Sequence, residues 1–164
     1  MQYRAAMGNA KRHFDTNYGT PVYQEKLGWP WWLWAFALFL AASISLAVWA
    51  AISPMATIVI SVTQFSLLIL ASIKTKLIIT VTKGWLLVGP AAIERAFLKS
   101  FAPLVFTELA KIRGVDGDPA AFLQLRFWVN AAIKIELRDP RDETPYWLIS
   151  TNRANELAQV LNSH

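Results

Sequence analysis

Two aspartates are the first residues in this chain whose spacing could do chemistry. Asp116 and Asp118 form a D-x-D, which in larger enzymes holds a divalent metal for phosphate or sugar transfer. An oxygen-ligand metal site needs several more carboxylates nearby. Because Gly117 and Pro119 are typical of a turn, we predict a turn and no metal site.

A second acidic cluster follows further along the chain. Asp139, Asp142 and Glu143 lie close together, but Arg138 and Arg141 stand among them and offset their charge. We interpret this cluster as a solvated, proline-bounded turn. It remains the best set of residues for an enzyme that acts on a lipid or envelope precursor.

Nucleophiles and bases are poorly placed. The chain has no cysteine, and its two histidines, His13 and His164, lie near the chain ends, where no scaffold would hold them. Ser150 and Thr151 precede a predicted helix, and no histidine is placed to activate them. We therefore predict no catalytic residue, no metal, no cofactor and no enzymatic activity.

The elements that could position these residues begin with a long uncharged run. Of the 164 residues 55% are hydrophobic and 16% charged, and the 47 residues from Leu27 to Ile73 carry no charge. That is about twice the ~20 residues that cross a bilayer once. Pro54 divides the run, so we predict a transmembrane hairpin over 29–73 with helices at 30–52 and 55–73. A cleaved signal peptide is the competing interpretation, which the length of the run and the second span disfavour.

Lysines near the spans set the expected orientation. Lys26 precedes the first span, Lys74, Lys76 and Lys83 follow the second, and the intervening turn carries no charge. The positive-inside rule then predicts a multi-pass protein of the plasma membrane with both termini cytoplasmic. These lysines also face the anionic headgroup zone, where they either set topology or bind headgroups.

Four tryptophans open the first span. Trp29, Trp31, Trp32 and Trp34 fall on all sides of a helix at 100° per residue, which is typical of an interfacial aromatic belt. Together with the four lysines they form the predicted membrane-anchoring set.

Hydroxyl and amide side chains within the spans are the predicted packing residues. Ser43 and Ser61 are of the small type that membrane helices use at contacts. Gln64 needs a hydrogen-bond partner near mid-membrane, either within the hairpin or on another membrane subunit.

The tail, residues 74–164, predicts a small cytoplasmic α+β domain, and residues 1–28, before the hairpin, are predicted to be a cytoplasmic arm. Apolar and charged residues alternate over Ile133–Arg138, and the final helix has apolar residues at helical spacing. We predict a curled antiparallel sheet closed at one end by a C-terminal helix. The other predicted elements are strands at Lys76–Thr82, Trp85–Val88, Ile93–Leu104, Phe122–Trp128 and Tyr146–Ser150, a helix at Thr107–Arg113 capped by Thr107 and stopped by Gly114, and a last helix at Asn152–Leu161 capped by Thr151 or Asn152.

Five segments together resemble one family. They begin at Tyr23 (YQEKL), Gly28 (GWPWWLW), Gly84 (GWLLVG), Gly117 (GDPAAF) and Asp139 (DPRDETPYWLISTNR). The chain resembles small actinobacterial membrane proteins of the DUF3093 type over about residues 20–162. The tail resembles, more distantly, bacterial pleckstrin-homology-like (PH-like) domains attached to paired spans, although 91 residues is short for that fold. The resemblance implies no activity and no functional residues.

The net charge of +5 comes with no basic stripe or zinc spacing, so we predict no nucleic-acid partner. The leading hypothesis is a non-enzymatic docking or stabilising accessory subunit of a larger membrane or cell-envelope complex. The alternative is a membrane module that binds anionic lipid headgroups. The expected partners are therefore the bilayer and a membrane protein.

Overall fold

The computed structural model describes residues 18–113, 118–138 and 144–163. Among these, residues 18–26 and 77–163 form one compact unit and residues 27–76 form another. The first is the sheet unit and the second is the hairpin unit.

The hairpin unit consists of two antiparallel apolar helices, α1 (Trp31–Ala51) and α2 (Pro54–Lys74). Each has 21 residues, or about 32 Å at 1.5 Å per residue, and both are long and apolar enough to cross a membrane. Pro54 is the first residue of α2, where its missing N–H is not needed. Ser53 caps the helix by accepting the Ala56 N–H at 3.2 Å. The predicted pair of long apolar helices is confirmed.

The first sheet of the sheet unit has four strands in the order β1-β2-β3-β4. β2 pairs antiparallel with β3, and β3 with β4. Gly89, with a φ of 57°, makes the turn between β3 and β4, a conformation that glycine adopts without strain. The strands are β1 (Pro21–Leu27), β2 (Leu77–Thr82), β3 (Trp85–Val88) and β4 (Ala91–Glu94).

Strand β1 corrects the prediction of a separate 1–28 arm for the residues that it contains, whereas residues 1–17 of that arm lie outside the described residues. It lies beside β2 in the sheet, and its burial alternates, with Tyr23 and Glu25 buried and Gln24 and Lys26 exposed. A glutamate on the buried side breaks the usual apolar alternation, which is why the strand was missed.

The second sheet has the order β5-β7-β8-β6. β7 is antiparallel to β5 and β8, whereas β6 is parallel to β8, so the sheet is not antiparallel throughout as predicted. Predicted strand Ile93–Leu104 is divided into β4, a 3₁₀ turn over 95–97 and β5, and predicted strand Phe122–Trp128 ends at Gln124. The strands are β5 (Leu98–Leu104), β6 (Phe122–Gln124), β7 (Ala132–Leu137) and β8 (Tyr146–Ser150).

Two helices complete the sheet unit. α3 (Phe106–Arg113) begins one residue before Thr107, so Thr107 lies inside the helix and is not its cap. The Glu108 carboxylate instead accepts the Val105 N–H at 3.3 Å. The predicted stop, Gly114, is outside the described residues.

The C-terminal helix α4 (Ala154–Asn162) is confirmed as an element, but its predicted caps are wrong. Its N-cap is Arg153, which makes no capping side-chain hydrogen bond, and Thr151 is used elsewhere. Leu157 and Leu161 are buried, and the helix contacts β5 and β7. Large side chains of β7 and β8 make up much of the core: Ile133, Ile135, Trp147, Leu148 and Ile149.

Candidate functional site

A groove of about 510 Å³ lies over one face of the first sheet. Its floor includes Ile78, Thr80 and Thr82, which share a face because alternate residues of a strand point the same way. Leu87 of β3 is directly opposite Thr80 and adds to the same face.

Residues 18–20, just before β1, and Pro21, its first residue, form one wall of the groove. The Tyr18 ring packs edge-on against Trp85 of β3, with 5.1 Å between ring centroids. Gly19 adopts a φ of 81°, which lets the chain turn between this contact and β1. The wall is therefore held to the sheet by an aromatic contact.

The two threonine hydroxyls of the groove differ in whether they have a hydrogen-bond partner. The Thr82 hydroxyl is satisfied, since it accepts the Trp85 N–H at 3.1 Å. Thr80 is only 7% exposed, and its hydroxyl oxygen is buried with no hydrogen-bond partner. Leaving a buried hydroxyl unpaired costs about 1–3 kcal/mol. On β1, Gln24 and Lys26 line the groove, and Lys26 forms no ion pair with the described residues.

The buried side of β1 carries a second polar arrangement, the Glu25 cluster, which consists of Glu25, Tyr23, Thr151 and Asn152. Glu25 is 5% exposed. One carboxylate oxygen accepts the Tyr23 hydroxyl at 2.9 Å and the Thr151 hydroxyl at 2.5 Å, and the other accepts the Asn152 N–H at 2.8 Å. Hydrogen bonds to an ionised group are the strong ones, so this cluster joins β1 firmly to the segment between β8 and α4.

Tyr23 is the residue of this cluster with a shifted pKa. Burial is the main cause, and the hydrogen bond and negative charge of Glu25 add to it, so that the pKa rises from 10.0 to about 12. The Arg153 guanidinium lies 5.0 Å from the Tyr23 ring centroid and donates to the Gln24 carbonyl at 3.1 Å. These contacts place an arginine over β1. The cluster is internally satisfied and offers no free acid or base.

Inside the hairpin, polar contacts are few. Ser45 of α1 and Ser61 of α2 share a hydrogen bond at 2.8 Å. Gln64, one turn from Ser61, is half-buried, and its amide oxygen is buried without a partner. Ser43 is exposed and donates to the Phe39 carbonyl of its own helix. Of the three predicted packing residues, only Ser61 therefore bonds across the hairpin.

The four tryptophans take different places. Trp29 donates its ring N–H to the Thr75 hydroxyl at 2.7 Å, and its ring lies 5.2 Å from that of Trp34. Trp31 and Trp32 are exposed, at 81% and 45%. The first pair thus belongs to the base of the hairpin, and the second pair faces outward.

The four predicted lysines are divided between the two units, with Lys26 and Lys83 in the sheet unit. Lys74 is the last residue of α2, and Lys76 follows in the hairpin unit. Lys83 is in the turn after β2, which at about 3.3 Å per residue puts it roughly 20 Å along the strand from Leu77. All of these lysines, and Lys26, are exposed.

A family model described as "Protein of unknown function (DUF3093)" matches residues 22–161. The chain belongs to the DUF3093 family. No curated protein and no solved structure matches it. The PH-like comparison therefore remains a prediction for this DUF3093 chain.

Most of the acidic and histidine side chains considered for chemistry lie outside the described residues: Asp116, Asp139, Asp142, Glu143, His13 and His164. Asp118 is described, and its carboxylate accepts the Ala120 N–H at 2.8 Å, as in a turn. Among the described residues, no group of three or more His, Cys, Asp or Glu side chains could hold a metal ion.

Sequence reasoning missed both arrangements of β1 in this DUF3093 chain. The available signal was the alternation of Tyr23, Glu25 and Leu27, which leads into the uncharged run. Ser150, considered above as a nucleophile, is fully buried and accepts the Arg126 N–H at 2.9 Å. Thr151, the other candidate, bonds Glu25 and accepts the Arg153 N–H at 3.1 Å.

Proposed function

We propose that this chain is an integral protein of the plasma membrane in which the hairpin anchors the sheet unit and docks against a larger membrane or envelope complex. The exposed apolar surface of the hairpin carries the proposal. Neither helix contains a fully buried residue. All but four of the exposed large apolar side chains of the described residues lie in the hairpin; the four are Val22, Val105, Leu123 and Phe127.

The size of this surface favours a membrane over water. Burying one large apolar side chain fully is worth about 1.5–3 kcal/mol, so a half-exposed one is worth ~1 kcal/mol. About twenty such side chains amount to ~20 kcal/mol, more than the ~5–15 kcal/mol by which a domain is stable. This comparison supports a hairpin that is covered by lipid or protein.

Docking, rather than simple anchoring, is supported by Gln64. An unpaired amide oxygen is unfavourable in a bilayer, where no water can replace the missing partner. A donor from a neighbouring membrane helix would remove that cost after a side-chain rotation, which gives the hairpin a reason to associate. The hydroxyls of Ser43, Thr63 and Ser66 create no such demand, since each donates to a carbonyl of its own helix.

Topology can be tested with single cysteines, because the chain has none of its own. Ile52, at the turn between α1 and α2, is 70% exposed. We expect a membrane-impermeant maleimide to label Ile52→Cys in intact cells and to label Ser163→Cys only after permeabilisation. The reverse pattern would overturn the orientation.

Docking can be tested by photocrosslinking in native membranes at Phe65, which is 54% exposed on α2. We expect a discrete protein adduct that weakens in Gln64→Leu and is retained in Thr63→Val, the matched control. Recovery of only free monomer and lipid adducts would count against the docking role.

Headgroup binding is the second candidate, and it rests on Lys74 and Lys76. Both are exposed at the end of α2, and neither forms an ion pair with the described residues. Each basic residue near an anionic surface contributes ~1 kcal/mol. Charge reversal at both should weaken binding of the detergent-solubilised chain to anionic vesicles, and an unchanged affinity would remove this candidate.

A further inference from the structure

The groove over the first sheet has the size and lining of a small-molecule site. Its volume of about 510 Å³ lies within the range of ~300–1,000 Å³ typical of ligand pockets. Such pockets combine an apolar lining with a few placed polar groups. Here Ile78 and Leu87 supply an apolar floor, and Thr80 and Gln24 supply the polar groups.

The charge of the lining points to an anion. Lys26 is the only charged side chain among the described residues that line the groove. Glu25 is adjacent in sequence, but it faces the other side of β1 and is occupied by Tyr23, Thr151 and the Asn152 N–H. No acidic side chain of the described groove lining therefore offsets the positive charge of Lys26.

The Thr80 hydroxyl is the second, independent observation. It belongs to a residue that is more than nine-tenths buried in the floor, and it has no hydrogen-bond partner. Native proteins rarely leave buried polar atoms unpaired, and such an atom calls for an explanation. Rotation of the Thr80 side chain toward a polar group bound in the groove would supply one.

We propose that this groove binds a small organic anion with an apolar body, its acidic group at Lys26, its apolar part on Ile78 and Leu87, and a polar group at Thr80. The proposal does not depend on the docking role of the hairpin. A soluble metabolite and the exposed end of an acidic lipid share this chemistry.

The test uses the full chain in phosphatidylcholine nanodiscs and two probes with the same apolar body, 4-phenylbutyrate and 4-phenylbutylamine. Saturation-transfer NMR, with empty nanodiscs as the blank, gives the affinity of each. For fragments of this size we expect a Kd on the order of 1 mM for the anion and no saturable binding of the amine. Equal binding of the two probes, or no saturable binding of the anion, would refute the proposal.

Variants separate a ligand site from a merely structural groove. Lys26→Gln should weaken phenylbutyrate binding about tenfold, since it removes a charge-assisted hydrogen bond. Lys83→Gln, which removes an exposed lysine outside the groove, should leave it unchanged. Thr80→Val should weaken binding while raising the melting temperature, because it removes an unpaired buried hydroxyl. A Lys26→Gln protein that binds like the parent would overturn the assignment.

The lipid composition of the nanodisc distinguishes a lipid ligand from a soluble one. If phosphatidylglycerol in the nanodisc competes with phenylbutyrate and Lys26→Gln abolishes the competition, the natural anion is a lipid. If the affinity for phenylbutyrate is the same in nanodiscs with and without phosphatidylglycerol, the natural anion is a soluble metabolite. Both results keep the anion site, whereas competition that is the same in Lys26→Gln would contradict it.

Discussion

Removal of the Glu25 carboxylate is the sharpest test of how the sheet unit is held together. The carboxylate is 5% exposed and accepts three hydrogen bonds. In Glu25→Ala the buried Tyr23 and Thr151 hydroxyls both lose their acceptor, whereas water can replace the carboxylate at the backbone N–H of the exposed Asn152. With ~1–3 kcal/mol for a buried donor left unpaired and ~1.5–3 kcal/mol for a hydrogen bond to a charged group, we expect the variant to lose about 3 kcal/mol of unfolding free energy.

Urea unfolding of the full chain in detergent micelles, followed by near-UV circular dichroism, measures this loss. Glu25→Gln keeps the shape and one acceptor, so it should lose about 1–2 kcal/mol. Gln24→Ala, the exposed neighbour on the same strand, is the matched control and should change stability by less than ~0.5 kcal/mol.

A double-mutant cycle isolates the link across the fold. Glu25→Ala and Thr151→Val remove the two ends of one hydrogen bond between residues 126 positions apart. We expect them to be non-additive by about 1–2 kcal/mol. Additive losses, or a loss below ~1 kcal/mol in Glu25→Ala, would refute the claim that this cluster ties β1 to the β8–α4 segment.

Three further predictions use the same unfolding assay. Gly89→Ala should lose about 1–2 kcal/mol, because a φ of 57° is unfavourable for alanine and its Cβ would lie 3.3 Å from Leu77, whereas Gly84→Ala, with nothing within 4 Å, should be near neutral. Arg95→Met should lose about 2 kcal/mol and speed amide exchange in α4, because Arg95 donates to two carbonyls of the last turn of that helix at 2.9 and 2.8 Å. Stability should fall as pH rises from 10 to about 12, because folded Tyr23 keeps its proton where the unfolded chain loses it, and Tyr23→Phe should have a flatter profile over this window.

Much of the architecture could be predicted from local sequence. The uncharged run and Pro54 predicted both long helices to within a residue at each end, because helix length and interruption are local properties. Tyr146–Ser150 and Trp85–Val88 were predicted with their observed bounds, since apolar runs between turn residues mark strands.

The predictions fail where contacts between residues far apart in the sequence determine the structure. Thr151 looks like a helix cap when only its neighbours are considered, but in the fold its hydroxyl bonds Glu25 and takes the Arg153 N–H. The sequence predicts a longer strand over Phe122–Trp128, but only its first three residues, which form β6, pair with another strand. Their partner is β8, and the pairing is parallel. Neither pairing leaves a trace in local periodicity.

The sequence alone determined that the chain contains a two-helix apolar hairpin and a small sheet domain with a C-terminal helix, because these follow from the spacing of apolar, charged and proline residues. Only the tertiary structure decided what Lys26 and Glu25 do. A charged residue on a strand can be buried when donors from elsewhere surround it, and those of Glu25 come from residues 23, 151 and 152. That burial places β1 in the sheet, and with it Lys26 at the groove.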